Sequence, residues 1–332
     1  MTVEDGRRRV VIEGISPIID GGRFPIKRVA TDEVVVEADA FTDGHDELAV
    51  VLRSRHESSD RWDEVSMESL GNDRWRANFL VDRIGRHRYT VEGWIDRFGS
   101  WAHDLDKRVA AGQDVSVDVL IGAALIEEAA SRADTPDRER LAASARTLRS
   151  DAPMAERATG ARDPELAALM ARYPDRTTST STQELEIVVD PVHARFSSWY
   201  ELFPRSASRE PGRHGTFRDV IARLPYVAGM GFDVLYLPPI HPIGRTFRKG
   251  PNNVRTSGPD DPGVPWAIGS DEGGHTDIHP ELGTLEDFRE LVAAARRLDI
   301  HVALDIAFQA SPDHPWVREH PEWFRARPDG TI

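Results

Sequence analysis

Residues 232–239 have the sequence FDVLYLPP, a short apolar run that ends at two prolines. A run of this length and composition is typical of a buried strand. An amphipathic segment, 216–230, precedes it, and a second helical pattern, 285–298, follows a long polar loop at 240–282. Another apolar run, 301–306, comes next. Strands that alternate with helices predict a parallel sheet whose ligand sites lie in the loops after the strands.

Residues 195–200, RFSSWY, are predicted as the first strand of this sheet. We expect residues 194–332 to form the first part of a catalytic (β/α)8 barrel, in which a helix follows each parallel strand. A complete barrel takes ~250 residues, more than this region contains. Residues 328–332, PDGTI, include an Asp-Gly turn signal. We therefore expect an incomplete barrel that is truncated after the third strand, at the start of an inserted loop domain.

The region 1–117 is predicted to be an all-β sandwich of immunoglobulin-like type. Strand-like runs are separated by turn sequences such as Asp20-Gly21-Gly22 and Gly71-Asn72-Asp73, a spacing typical of sandwiches. The runs are 10–15, 33–40, 48–53, 74–81, 88–95 and 114–119. Such modules more often support or dimerise a protein, so we expect no catalysis there.

Residues 118–183 change in composition to Ala, Leu, Glu and Arg, and they are predicted to form a helical insert. Pro136 and Pro164 suit the first position of two of its helices. The predicted helices are 121–133, 136–149 and 164–172. Residues 184–193 then supply a strand, 184–189, that is expected to complete the sandwich, and a short linker.

The composition of the chain excludes several classes of function. The 332 residues carry a net charge of −14, which argues against a protein that binds nucleic acid or an anionic membrane. There is no cysteine, which excludes disulfides and thiolate nucleophiles and fits a reducing cytoplasm. The first residues, MTVEDGRRRVVIEG, lack the apolar core of a signal peptide, and no run approaches ~18 apolar residues. We expect a cytoplasmic location.

Three segments after the predicted strands carry groups that are suited to chemistry. The first, 237–253, places Lys249, Asn252 and Asn253 on a loop rich in glycine and proline. Lysine is a point charge suited to phosphate, and the asparagine amide both donates to and accepts from sugar hydroxyls. The alternative is a solvated lysine beside ordinary turn asparagines, and composition alone favours that alternative.

The second segment, 266–284, contains His275, Asp277 and His279, a spacing that could suggest a metal site. Ordinary loop groups are the favoured interpretation, because no metal-binding helix pattern is present. In the third segment, Asp305 ends an apolar strand. A carboxylate at that place is costly unless it is hydrogen-bonded, so it is either a site residue or a structural anchor of the loop.

Together these segments resemble the α-amylase superfamily, glycoside hydrolase family 13. The resemblance lies in a Tyr-Leu-Pro-Pro strand end at 236–239, a His-Pro-x-Leu-Gly-Thr turn at 279–284 and the strand that ends at Asp305. In that superfamily the last strand is normally followed by Asp-x-x-x-Asn-His. Here Gln309 and Ala310 stand in place of the asparagine and histidine, which speaks against ordinary amylase activity.

The departure is similar to the branch of the superfamily that transfers maltosyl units from maltose 1-phosphate. The similarity to this branch lies in three stretches: 245–253, RTFRKGPNN; 264–270, VPWAIGS; and 308–316, FQASPDHPW. The resemblance implies that the substrate-binding residues are Lys249, Asn253, Val264, Asp305 and Gln309. It implies no metal and no cofactor.

The same resemblance implies a retaining transfer, with release of phosphate, to the non-reducing end of an α-1,4-glucan. In the family the nucleophile and the general acid lie on the fourth and fifth barrel strands, so no catalytic residue is assigned here. The chain would be the N-terminal portion of such a transferase and inactive alone. A homodimer formed through the N-terminal modules is also implied.

Two other hypotheses stay open from the sequence. One is an α-glucan hydrolase or branching enzyme of the same superfamily. Gln309, Ala310 and the loop 245–253 that carries Lys249, here called the lysine loop, argue against it. The other is a non-catalytic carbohydrate-binding fragment, which the expected absence of the catalytic strands favours.

Overall fold

A computed structural model describes residues 6–331 of the chain. The chain divides into two compact units, the first ending at Val192 and the second starting at His193. The division falls within the predicted linker at 184–193.

The first unit contains two sheets whose strands together hold every β-run expected between residues 10 and 95. One sheet has the order β1-β3-β7-β6 and the other has the order β2-β10-β8-β4-β5, with β9 paired to β8. The strands are β1 Val11–Ser16, β2 Ile26–Val29, β3 Asp32–Phe41, β4 Leu48–His56, β5 Asp63–Ser66, β6 Glu68–Gly71, β7 Arg74–Val81, β8 Gly85–Ile95, β9 Thr180–Ser181 and β10 Leu185–Asp190. The strand predicted at 184–189 is confirmed, and it joins β8 antiparallel and β2 parallel.

Alternation of side chains explains how the two sheets share one core. In β3, Val34, Val36 and Ala38 are fully buried while the residues between them are more exposed. They pack in one cluster with residues of the other sheet, among them Leu52 and Ile187. Because successive strand side chains point to opposite faces, one apolar face of each sheet meets the other.

In residues 6–192 of the first unit the structure also describes five α-helices. They are α1 Arg97–Ala110, α2 Ser116–Arg132, α3 Thr135–Arg149, α4 Met154–Ala161 and α5 Pro164–Arg172. The three helices predicted in the insert are confirmed, and both Pro136 and Pro164 lie in the first turn.

The prediction of a strand at 114–119 is wrong, because α2 begins at Ser116. The helical part of the unit begins at Arg97, inside the range 1–117 that was assigned to the sandwich. Asp96 caps α1 by accepting a hydrogen bond from the backbone N–H of Gly99 (2.9 Å). Phe98, Trp101 and Leu105 then recur at helical spacing and are buried among the helices, a period that the alternating pattern before them obscured.

The second unit is built on a three-stranded parallel sheet with the order β11-β12-β13. Its elements are β11 Trp199–Glu201, α6 Phe217–Gly229, β12 Val234–Leu237, α7 Leu285–Arg296, β13 His301–Leu304 and α8 Pro315–Glu319. The predicted alternation and the parallel pairing are confirmed. The first strand is displaced from the predicted 195–200, since the backbone N–H of Ser198 donates to the carboxylate of Asp233 (2.7 Å) before the sheet begins.

The two long helices of this unit start in the same way. Thr216 and Asp219 form a capping box at α6, and Thr284 and Asp287 form one at α7, so each helix has its first N–H groups satisfied. Their apolar faces pack on the sheet through Phe217 and Leu291, among other buried residues. The carboxyl ends of β12 and β13 are thereby held side by side, and their loops meet.

Candidate functional site

The segments singled out from the sequence meet at a cavity of about 430 Å³ in the second unit. The first unit contains a separate cavity of about 440 Å³, which none of these segments lines. Lys249, Asn253, Val264 and Gln309 all line the cavity of the second unit. Its other lining residues are Gly244, Thr246, Phe247, Arg248, Trp266, Ala267, Ala310, Ser311 and Pro312. Four of the five predicted site residues are therefore brought together, and they come from three separate stretches of the loops that follow β12 and β13.

The guanidinium of Arg248 holds the lysine loop in shape. It donates to the backbone carbonyls of Ile243 (2.9 Å), Gly244 (3.0 Å) and Asp261 (2.9 Å). Three of its N–H groups thus donate to backbone carbonyls on either side of the loop, so Arg248 stabilises the loop conformation although it also lines the cavity. Three residues that are not glycine, Phe247, Asn252 and Asn253, have a positive φ in this loop. Asparagine tolerates the left-handed conformation better than most residues, which fits its occurrence here.

Lys249 differs from the other lysines of the chain. Lys27 pairs with Asp190 (3.1 Å) and Lys107 lies 3.8 Å from Asp104, whereas within residues 6–331 no carboxylate lies within salt-bridge distance of Lys249. Its side chain is half-buried at the cavity. A partly desolvated cation without a counter-ion is unfavourable in an isolated protein and is the arrangement expected of a group that meets an anionic ligand.

Gln309 and Asp305 both contact the same wall residue, Trp266. The side-chain amide of Gln309 donates to the backbone carbonyl of Trp266 (3.1 Å), and the indole N–H of Trp266 donates to Asp305 (2.6 Å). Asp305 also accepts a hydrogen bond from the hydroxyl of Tyr236, which raises the pKa of that phenol. The carboxylate of Asp305 is thus occupied by protein donors, and it is not one of the residues that line the cavity.

Asp313 joins the lysine loop to the Gln309 segment, and the sequence analysis gave it no role. Its carboxylate accepts from the backbone N–H groups of Arg245 and Thr246 (2.6 Å each) and from the hydroxyl of Thr246 (2.5 Å). Burial alone would raise the pKa of Asp313, but these hydrogen bonds outweigh it and lower the pKa. An acidic residue in the sequence Ser-Pro-Asp-His-Pro is a signal for such loop contacts.

The histidines of the 266–284 segment go to separate partners. His275 contacts His314 and the carbonyl of Ala307, whereas the ring of His279 accepts from the backbone N–H of Glu281 (3.2 Å). Burial, with a smaller effect of His214, lowers the pKa of His279. Asp277 accepts from the backbone N–H of Gly274 (3.0 Å). In the part of the chain that the structure describes, no group of three or more His, Asp or Glu side chains is arranged to hold a metal ion.

Comparison with known proteins identifies the family of the chain. Residues 8–191 match the family model described as α-1,4-glucan:maltose-1-phosphate maltosyltransferase, domain N/S, over more than half of the chain. The chain belongs to this maltosyltransferase family. Residues 173–327 match the model of the α-amylase catalytic domain, and all residues that line the cavity lie within this range. The predicted resemblance is confirmed.

Relatives within the family are similar along the whole chain. The maltosyltransferase of Chlorobaculum tepidum is 53% identical over 99% of this chain and 49% of its own length. Maltosyltransferase 1 of Streptomyces coelicolor is 46% identical over 98% of this chain and 49% of its own. The chain thus spans about half the length of the curated relatives it matches. A solved α-amylase from Lactobacillus plantarum is 38% identical over 41% of this chain and 28% of its own, with a TM-score of 0.33.

The helices offer no membrane span. Within residues 6–331, none is both long and apolar enough to cross a bilayer.

Proposed function

We propose that this chain is the N-terminal portion of a transferase that moves maltosyl units from α-maltose 1-phosphate to the non-reducing end of an α-1,4-glucan. The observation that carries the proposal is the cavity lined jointly by Lys249, Asn253, Val264 and Gln309. It supports a donor site, because a half-buried ammonium without a counter-ion lies beside amides that suit sugar hydroxyls.

Each site residue has a proposed part in donor binding. Lys249 binds the phosphate, whose charge supplies the counter-ion that no carboxylate of residues 6–331 provides. Asn253 and Gln309 hydrogen-bond the donor, and Val264 forms an apolar wall. Asp305 acts structurally, since its contacts with Trp266 and Tyr236 fix the cavity wall and leave it poorly placed to attack a sugar.

The chemistry proposed for the parent enzyme is a double displacement with retention. A carboxylate attacks the anomeric carbon, the bond to the phosphate oxygen breaks with proton donation by a general acid, and the glucan 4-hydroxyl then displaces the carboxylate. This requires two carboxyl groups about 5–5.5 Å apart. We assign neither to residues 1–332 and place both on later strands of the barrel.

The wider architecture is part of the same proposal. We infer that the two sheets of the first unit form a sandwich of immunoglobulin type, and that the parallel sheet is the start of a (β/α)8 barrel. The β sheets and the helices of the first unit are suited to dimerisation rather than catalysis. A cytoplasmic enzyme without metal or cofactor fits the absence of cysteine and the chemistry just described.

Phosphate release from α-maltose 1-phosphate, with a glucan acceptor, tests the proposal on the product of the complete gene. Removing a charged hydrogen-bond donor to phosphate costs about 1.5–3 kcal/mol. Lys249→Ala should therefore raise the KM for the donor by about 10–100-fold and leave the acceptor KM unchanged. Lys107→Ala is the matched control, because Lys107 is exposed on α1.

Three results would contradict the proposal. Equal losses for donor and acceptor would remove the phosphate role of Lys249. Cleavage of glucan that needs no phosphorylated donor would favour the hydrolase hypothesis instead. Activity of residues 1–332 alone would show that the reacting carboxylates lie within this chain.

A further inference from the structure

His275 and His314 form a hydrogen-bonded pair behind the donor cavity. Nε2 of His314 lies 2.9 Å from Nδ1 of His275, and Nε2 of His275 lies 2.7 Å from the carbonyl oxygen of Ala307. Nδ1 of His314 accepts from the backbone N–H of Trp316 (3.1 Å). The pair therefore connects two points of the backbone, at 307 and at 316.

These contacts determine where the protons are. A carbonyl only accepts, so Nε2 of His275 carries a proton, and a backbone N–H only donates, so Nδ1 of His314 carries none. With both rings neutral, the remaining proton lies on Nε2 of His314 and is donated to Nδ1 of His275. An additional proton on either ring places two N–H groups face to face or expels the N–H of Trp316.

His314 is tightly enclosed, and the partly exposed ring of His275 is held by stacking. His314 is 1% exposed, and a Cβ added at Gly269 or Gly274 would overlap with its ring. The ring of His275 stacks on Trp316, with 5.2 Å between ring centroids and an angle of 4° between the planes. A rotation of either ring would have to displace this stack or the backbone at the two glycines.

The segment between the two anchor points carries one wall of the cavity. Residues 309–312 line it, and Asp313 holds the lysine loop at Arg245 and Thr246. Whatever fixes residues 307–316 therefore also fixes Gln309 relative to Lys249.

We propose that His275 and His314 are positioning residues that hold the 307–316 segment against the lysine loop only while both rings are neutral. Protonation of the pair then opens the donor cavity and weakens donor binding. This inference rests on the proposed donor site for its functional consequence.

The surroundings of the pair make the neutral state the favoured one near neutral pH. Burial, followed by the neighbouring His275 and His241, lowers the pKa of His314 below 6.5, whereas Glu319 and Asp277 oppose this. Since the unfolded or opened segment binds the proton more readily, the closed form has its full stability above about pH 6.5. That stability is lost as the pH falls from 6.5 through the lower pKa of the closed form.

Imidazole ¹⁵N NMR on the histidine-labelled whole-gene product tests the proton arrangement directly. Both rings should be neutral Nε2–H tautomers at pH 7.5, with assignments made through His275→Gln and His314→Gln. A doubly protonated ring, or an Nδ1–H tautomer of either residue, at that pH would overturn the proposal even if neither variant folds.

The functional arm measures the donor KM between pH 7.5 and 5.5 for the wild type, the double variant His275→Gln/His314→Gln and the exposed control His45→Gln. With glutamine at both positions one side-chain amide can still donate to the other, and neither amide titrates in this range. Because the donor phosphate itself titrates near pH 6, variants are compared with the wild type at each pH. The ratio of variant to wild-type KM should fall towards pH 5.5 for the double variant, by up to about tenfold for one proton over the unit between pH 6.5 and 5.5, and stay constant for His45→Gln.

Hydrogen exchange separates failure of this inference from failure of the donor site. Peptides covering 245–249 and 307–316 should exchange faster in the wild type than in His275→Gln/His314→Gln at pH 5.5, and equally at pH 7.5. If they do so while no phosphate is released, the donor proposal fails and the histidine pair stands. Equal exchange at both pH values would overturn the histidine pair.

Discussion

Glu92 in the first unit is buried and Lys249 in the second is half-buried, and the surroundings of the two charges are opposite. Glu92 is 6% exposed and accepts from the hydroxyl of Ser179 (2.7 Å), with Arg53 and Arg176 at 3.3 and 3.5 Å. Lys249 is half-buried, and nowhere in residues 6–331 does a carboxylate approach to pair with it. A satisfied buried charge is typical of a scaffold, and an unsatisfied one is typical of a site that awaits its ligand.

The two units are alike in how charged side chains hold their loops. In the first unit, Arg176 stacks over Trp94 with its guanidinium carbon 4.2 Å from the ring centre and pairs with Glu64 (2.9 Å), so the segment after the helices is tied to the sheet. In the second unit, Arg248 and Asp313 organise loops around an open cavity. Arg176 and Glu64 also line the cavity of about 440 Å³ in the first unit, so in both units arginine and carboxylate side chains fix the segments around a cavity.

The largest expected effect is a loss of stability of the second unit on substitution of Gly269. Gly269 has a φ of +106°, and a Cβ there would overlap with His314, so Gly269→Ala combines overpacking with backbone strain. Those effects cost about 1–3 kcal/mol each, so we expect a loss of about 3–5 kcal/mol in stability and a raised donor KM. Differential scanning calorimetry and donor kinetics measure both.

Gly212→Ala is the control for Gly269→Ala. Gly212 also has a positive φ, of +79°, but it has open space around its Cβ position, so it reports backbone strain alone. Equal losses for the two variants would mean that packing against His314 contributes nothing.

The next prediction compares removal of the Glu92 charge with removal of the Lys249 charge, in stability and in donor binding. Glu92→Ala removes a buried carboxylate, while Arg53 and Arg176 are partly exposed and still pair with Glu64, so it should cost about 1–3 kcal/mol of unfolding free energy without changing the donor KM. Lys249→Gln should leave the stability unchanged or raise it, because it removes an unpaired, half-buried charge, while it weakens donor binding. Thermal unfolding and kinetics of both variants separate the roles, and a destabilised Lys249→Gln would contradict the contrast.

Periodicity predicted most of the fold. The runs at 33–40 and 74–81 alternate cleanly and form long paired strands, and Thr216 and Thr284 precede amphipathic helices that begin where expected. The strand at 114–119 failed because six apolar-alternating residues also fit the first turns of a helix, and only burial among α1 and α3 decides between them. Short edge strands such as β5 and β6 have no buried face and gave no periodic signal.

Only part of the candidate site was predictable from the sequence. Lys249 stands on a loop after a strand, where composition alone favoured an ordinary solvated lysine, and the resemblance to the maltose 1-phosphate branch implied its role in binding. Asp313 and His314 were not predictable in the same way. Their contacts reach back to Arg245, Thr246 and His275, and such long-range pairing has no local pattern in a single sequence.

The smallest expected effect sharpens the comparison at Asn253, where backbone and side chain both matter. Asn253 has a φ of +63°, so Asn253→Gly removes the amide and relaxes the backbone, while Asn253→Ala removes the amide and adds strain. A neutral hydrogen bond is worth about 0.5–1.5 kcal/mol, so Asn253→Gly should raise the donor KM by about 2–10-fold. Asn253→Ala should raise it further, because the strained loop also carries Lys249. If the glycine variant binds donor as the wild type does, then Asn253 serves only the shape of the loop, as asparagines do in ordinary turns.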